Sequence, residues 1–249
     1  MKALLLGVNV DHVATLRQAR YALLPDSPNA EPCPLEACFA AMKGGADSIT
    51  IHVRGDRRHM QDRDAFLIRK NCQLPLNLEM GNSPEMLKLA LELKPDFVCM
   101  VPETREEVTT EGGLDVASQF EETKETVARL QEAGIQVSLF IDPESEQVAT
   151  SAQIGAEMIE LHTGAFANAE GVEKEGELSR LSQAARQGHE LGLQVNAGHG
   201  LNYENLALFL QVPHLAELNI GHSIVARSLA IGMKAAVREM KTLMKGYTA

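Results

Sequence analysis

A chain of 249 residues, 45% of them hydrophobic, carries enough apolar side chain for one large core or two small ones. Its 34 acidic residues outnumber 23 lysines and arginines, and a formal charge of −11 disfavours nucleic acid or an anionic membrane as partner. The apolar run at 3–6 stops at Gly7, too short for a secretory signal, and nothing approaches the ~20 apolar residues of a membrane span, so a soluble cytoplasmic protein is expected.

In chain order, strands are predicted to begin near Leu4, Ser48, Leu76, Phe97, Gln136, Met158, Gln194 and Glu217. Helical periodicity falls between them, over 35–43, 62–71, 84–93, 118–133, 144–154, 176–191, 202–210 and 224–245. Residues 21–34 hold Pro25, Pro28, Pro32 and Pro34 and read as an irregular loop within the first unit. Gly45, Gly134, Gly155 and Gly192 stand where helix ends need a left-handed residue. Pro75 and Pro95 stop helices by another route, while Ser83-Pro84 and Asp142-Pro143 have the chemistry of helix starts. Eight strand–helix alternations in a chain of this length predict an α/β fold, one parallel (β/α)8 TIM barrel over 1–249. A dinucleotide fold is disfavoured, because no G-x-G-x-x-G follows the first strand.

Six of the strand-like runs end in histidine, acid, asparagine or glycine, at Asn9-Val10-Asp11-His12, His52-Val53-Arg54, Glu79, Glu160-Leu161-His162, Gly198-His199-Gly200 and Gly221-His222. Polar groups of this kind are costly in a strand unless something uses them, and barrel enzymes build their sites at the carboxyl ends of strands. Strand alternation points His52 into the mouth, and Arg54, Arg57, Arg58 and His59 follow it. These cations either capture phosphate or carboxylate or pair with Asp56, Asp62 and Asp64. A partly desolvated Glu79 has the makings of a general base, the other reading being an ion pair with an arginine. Glu160 alternates with Ile159 and Leu161 and so points inward, either to stabilise charge or to hold a ligand in register. Glycine-rich loops after strands 7 and 8, the second opening a helix, are where barrels bind phosphate. The excursion at 102–115, containing Thr109, is either a lid over the site or an exposed loop.

Cys33, Cys38, Cys72 and Cys99 make neither a C-x-x-C pair nor a zinc spacing and are expected as reduced, mostly buried thiols. The glycine and arginine neighbours of His12, His52, His162, His199 and His222 suit anions better than a metal, and none is expected.

Taken together these residues resemble the pyridoxine 5′-phosphate synthase family of the deoxyxylulose-dependent vitamin B6 pathway. The resemblance runs through Gly-Val-Asn-Val-Asp-His at 7–12, His-Val-Arg-Gly-Asp-Arg-Arg-His at 52–59 and Asn-Leu-Glu-Met at 77–80. It continues through 107–116, 196–201 and 217–222, and departs at 21–34, which is longer and richer in proline than the family pattern. It implies condensation of 1-deoxy-D-xylulose 5-phosphate with 3-amino-2-oxopropyl phosphate to pyridoxine 5′-phosphate, phosphate and water, without metal or organic cofactor. By the resemblance His52 and Glu79 accept protons, His199 donates one and Glu160 stabilises developing charge. Gly200, Gly221, His222, Asn9 and Arg20 would contact the aminoketone phosphate, and Asp11, His12, Arg54, His59 and Thr109 the deoxyxylulose phosphate. The loop at 102–115 would close over an imine, and the family assembles as an octamer built from dimers. His162 receives no role. A phosphosugar isomerase with one phosphate site, or a silent sugar-phosphate-binding protein, are the competing readings.

Overall fold

The computed structural model describes residues 3–24, 27–103 and 112–248. Its strands are β1 (Leu5–Asn9), β2 (Ser48–His52), β3 (Leu76–Met80), β4 (Phe97–Met100), β5 (Gln136–Ile141), β6 (Met158–His162), β7 (Gln194–Gly198) and β8 (Leu215–Ile220). Each pairs in parallel with the next, and β8 closes on β1 through registers such as Gly7 with Asn219. This is the expected (β/α)8 barrel. The helices are α1 (Asp11–Tyr21), α2 (Pro34–Gly44), α3 (Asp62–Asn71), α4 (Pro84–Leu93), α5 (Phe120–Glu132), α6 (Ser145–Ile154), α7 (Gly164–Asn168), α8 (Gly171–Glu190), α9 (Leu206–Phe209), α10 (His222–Ile231) and α11 (Met233–Met244).

The predicted turns hold where backbone chemistry dictates them. Gly45, Gly134, Gly155 and Gly192 all have φ between 80° and 103°, and Ser83 Oγ accepts the Met86 amide at 3.2 Å to open α4. Departures have local causes. Helix α1, which is not among the predicted helices, follows β1 at once; its buried stripe contains Arg17, which breaks the apolar periodicity and pairs with Asp64 at 2.7 Å. The helix predicted at 224–245 divides at Gly232, whose φ is 83°. Asp142 does not open a helix; α6 begins at Ser145, and the Asp142 carboxylate turns to His162. Helix α8 starts at Gly171, ahead of the predicted 176, and α9 is confined to Leu206–Phe209 within the predicted 202–210. Two of the four cysteines, Cys38 and Cys99, are buried; Cys33 and Cys72 are half-buried, and all four are free thiols.

Period-two alternation divides each strand between two environments. Leu6, Val8, Ile49, Ile51, Leu78, Val98, Leu139, Ile159, Leu161 and Leu218 belong to the apolar layer shared with the helices. Burying each such side chain contributes about 1.5–3 kcal/mol. The interleaved positions supply a polar lumen. Thr50 Oγ1 donates to Asn219 Oδ1 at 3.0 Å, and Asn219 Nδ2 donates to Glu160 Oε2 at 2.6 Å across the barrel. Ser48 donates to Glu217 one layer below. Only Cys99, Val101 and Phe140 form a separate buried apolar cluster among the described residues.

At the amino-terminal end an acid immediately precedes β2, β4 and β6 and caps the strand before. Asp47 accepts the Leu6 amide at 2.7 Å, Asp96 the Leu76 amide at 2.8 Å, and Glu157 the Val137 amide at 2.9 Å. Lys241, Arg69 and Gln131 complete these three sites. At these three caps the strand amides and the acids that accept them are satisfied.

Candidate active site

At the other end the alternation of β2 and β3 brings His52 and Glu79 to the same level as register partners. Both are buried, with His52 Nδ1 3.7 Å from Glu79 Oε2. Asp11, the first residue of α1, accepts the His52 amide at 2.7 Å and the Asn9 side-chain amide at 2.7 Å, while Asn9 Oδ1 accepts the Asp11 amide. Burial dominates the acid–base properties here. It raises Asp11 to about 6 against the pull of His52 and Asn9. Burial, then the charges of Asp11 and Glu160, push Glu79 well above the ordinary glutamate range. Glu79 therefore holds a proton more tightly than an ordinary glutamate, beside an imidazole that can exchange one with it.

The opposite wall comes from β6 and β7. Glu160, buried inside the barrel, is raised to about 7 by burial and by Glu217, against the hydrogen bond from Asn219. Its Oε1 lies 3.9 Å from His199 Nδ1. His199 has φ 71° and Gly200 φ 88°, so the chain turns sharply at the end of β7 and swings the imidazole against Phe140, 4.4 Å between ring centres. A left-handed histidine costs backbone energy, and Thr163 holds it: its hydroxyl donates to the Gly198 carbonyl at 2.7 Å and to the carbonyl of His199. Burial and then the neighbouring His162, His52 and His12 push His199 down to about 3, so it is a neutral imidazole before an anion arrives.

Asn9, Asp11, His12, His52, Arg54, His59, Glu79, His199, Gly200, Gly221 and His222 thus line one open pocket at the carboxyl end of the barrel. At one flank Gly221 precedes α10 with no side-chain cap on the first-turn amides, and His222, the first residue of that helix, packs on His12 with 5.2 Å between ring centres. At the other flank stand Arg54 and His59. His59 is lowered to about 3 by burial and by the adjacent His52, His12 and Arg54.

The cationic run after β2 is divided between its two predicted fates. Arg54 and His59 face the pocket, while Arg57 pairs with Asp62 at 2.7 Å and Arg58 with Asp56 at 2.6 Å. Arg20 sits on an exposed position of α1, over the Tyr21 ring at 5.7 Å, and does not line the pocket. Thr109 and most of the 102–115 loop lie outside the described residues. Glu160 reaches the site from below through His199 rather than lining the mouth. His162 bonds Asp142 at 3.0 Å and packs on Phe140.

Sequence reasoning missed three contributors. Glu103, after β4, lies 2.7 Å from His52 Nε2; extending the strand-end rule to β4 finds it. Thr163, after β6, is found in the same way. Arg17 and Asp64 brace the His59 loop, Arg17 also donating to the His59 carbonyl at 3.3 Å; nothing local in the sequence marks that pair. Among the described residues Asp11, His52 and Glu79 each offer one donor atom within 4.8 Å of the others, a set that has the chemistry to hold a divalent cation.

Comparison with known proteins is decisive at the level of family. Residues 6–246 match the model of the family described as pyridoxal phosphate biosynthesis protein PdxJ. A pyridoxine 5′-phosphate synthase of Akkermansia muciniphila is 63% identical over 239 residues, covering 96% of this chain and 97% of that protein. One from a Synechococcus species is 52% identical over 240 residues, covering 96% and 98%. Among solved structures, phosphoribosylanthranilate isomerase from Thermotoga maritima superposes with a TM-score of 0.63 at 12% identity, over 98% of this chain and 99% of the other, a likeness of fold alone.

Proposed function

The chain belongs to the PdxJ family, and from that premise we infer that it is a pyridoxine 5′-phosphate synthase. It condenses 1-deoxy-D-xylulose 5-phosphate with 3-amino-2-oxopropyl phosphate, releasing phosphate and water. The observation that carries this reading is the set of groups gathered in one pocket. Two sets of anion-seeking groups line it, Arg54 and His59 from the segment after β2 and Gly200, Gly221 and His222 from the turns after β7 and β8, together with His52, Glu79 and His199. A single-phosphate isomerase uses one such set, and a silent binding protein has no need of His52, Glu79 and His199.

In this reading the amine of one substrate attacks the ketone of the other to form an imine. Phosphate loss, enolisation, water addition and aldol-type ring closure follow, each requiring a proton moved at a defined carbon or oxygen. His52 and Glu79 accept protons, and burial strengthens the hold of Glu79 on the one it takes. His199 donates. Neutral before substrate arrives, it takes up a proton more readily once phosphate dianions replace the field of neighbouring imidazoles. Glu160, close behind His199, stabilises the positive charge that develops. Asn9 orients the aminoketone, with Arg20 reaching it only by moving from its exposed position; Asp11 and His12 join Arg54 and His59 on the sugar side, and Thr109 completes that side. The residues around 102–115 exclude water from the imine.

The whole chain acts as one catalytic domain in the cytoplasm, without a metal or organic cofactor, as an octamer built from dimers. Exposed Leu16 on α1 and Leu229 and Ile231 on α10 support self-association, and no helix among the described residues is long and apolar enough to cross a membrane.

The test is direct. Purified protein given both substrates should release pyridoxine 5′-phosphate and inorganic phosphate in equal amounts, and neither when one substrate is omitted. Turnover of a single substrate alone would replace this reading with the isomerase.

A further inference from the structure

Of the acids around the pocket, the one in closest contact with the ring of a central histidine is the one with no role in the chemistry above. Glu103 stands three residues beyond β4 and reaches across two neighbouring strands. Its Oε1 lies 2.7 Å from His52 Nε2 and accepts the Gly81 amide at 3.2 Å; its Oε2 accepts the Gly55 amide at 3.1 Å. Burial pushes the Glu103 carboxyl up, but the His52 hydrogen bond and the Gly55 amide help to hold it below its ordinary value. An ionised carboxylate surrounded by two amide donors has no proton to give, so His52 Nε2 must carry the hydrogen between them. The lone pair then sits on Nδ1, the nitrogen that faces Glu79 Oε2 at 3.7 Å.

The backbone is shaped for this arrangement. A Cβ on Gly81 would fall 2.9 Å from Glu103 Cδ and 3.0 Å from its Cγ, so any side chain there would drive the carboxylate off His52. Glu103, His52 and Glu79 form a line in which one carboxylate holds the imidazole and a second carboxyl group meets its open face.

We propose that Glu103 is the positioning residue of His52. It fixes the tautomer with hydrogen on Nε2, makes Nδ1 the nitrogen that takes the substrate's proton, and stabilises the imidazolium that results. Hydrogen-bonded carboxylates serve other catalytic and metal-bound histidines in the same way. The assignment rests on the function inferred above for its catalytic meaning, while the tautomer itself is a property of the free protein.

Nitrogen-15 NMR of the full chain labelled at histidine reads it, with His52 assigned by its disappearance in His52→Asn. The expected wild-type signature near neutral pH is a protonated Nε2 and an unprotonated, hydrogen-bond-accepting Nδ1. In Glu103→Gln the two ring nitrogens should move toward averaged shifts. Its kcat should fall about tenfold to a hundredfold, with KM for both substrates within about twofold, and Glu103→Asp should recover part of the loss. Hydrogen on Nδ1 in the wild type overturns the assignment, as does a kcat loss in Glu103→Gln with an unchanged tautomer. Unchanged kcat in that variant also overturns it. If Glu103→Gln fails to fold, the wild-type spectrum still decides. Wild-type protein that makes no pyridoxine 5′-phosphate refutes the enzymatic reading separately and leaves the tautomer measurement standing.

Discussion

At the amino-terminal end of the barrel, Asp47, Asp96 and Glu157 each stand one residue ahead of an even-numbered strand, accept a backbone amide from the strand before, and meet a lysine, arginine or glutamine at the surface. At the carboxyl end, Asp11, Glu79 and Glu160 are more deeply buried and meet imidazoles, amides and one another, and the charge of Arg54 offsets the burial of Asp11 only in part. The first set has its hydrogen bonds supplied and works as strand caps. In the second set burial raises each acid's affinity for a proton, and Glu160 Oε1 has no hydrogen-bond partner among the described residues. The same residue type serves stability at one end and proton transfer at the other, and the difference lies in what surrounds it.

That comparison breaks first, and most severely, at Glu79. Glu79→Gln keeps the shape and removes the transferable proton, so kcat should drop by about 10²–10⁴-fold while the thermal midpoint holds or rises. His199→Asn should behave alike. Near-normal turnover by either variant removes it from the chemistry; a large fall in midpoint would show that the upper end is built for stability after all.

The lower end should respond in the opposite sense. Asp96→Ala strands the buried Leu76 amide and removes the partner of Arg69, and should cost about 1–3 kcal/mol of unfolding free energy. Its kcat should stay within about twofold, because the change shares no partner with the pocket. Urea unfolding and steady-state assays on the same preparation check both halves of the expectation. A kcat loss as large as that of Glu79→Gln would erase the distinction between the ends.

The barrel was legible in the sequence because alternation and left-handed glycines are local signals, and Gly45, Gly134, Gly155 and Gly192 mark helix ends whatever packs on them. Much of the site was legible for the same reason: His52, Glu79 and His199 end strands, and strand ends converge in a closed barrel. What escaped depends on partners distant in sequence. Helix α1 hid behind Arg17, whose burial makes sense only once Asp64, 47 residues away, is beside it. The division of the arginines after β2 was undecidable locally, since Arg57 is claimed by Asp62 and Glu85. The polar lumen required knowing that Glu160 and Asn219 meet across the barrel.

The finest test of the comparison is the pH dependence of stability, where Glu160 and His199 should pull in opposite directions. Burial holds Glu160 at about 7, above the 4.5 of an ordinary glutamate, so between these values the folded chain binds more protons than the unfolded one. Its contribution to stability is intact below about pH 4.5 and is lost as pH rises through 7. His199, held at about 3 against an ordinary 6.5, reverses the sign: the unfolded chain binds the extra proton, and stability is lost as pH falls below 6.5. Glu160→Gln should therefore leave stability nearly unchanged at pH 5 and raise it at pH 8, by at most about 3 kcal/mol and by less once Asn219 readjusts. Denaturant midpoints at the two pH values measure the difference. An equal effect at pH 5 and pH 8 would mean that Glu160 carries no displaced proton, and would remove it from the set of strained acids that separates the upper end from the lower.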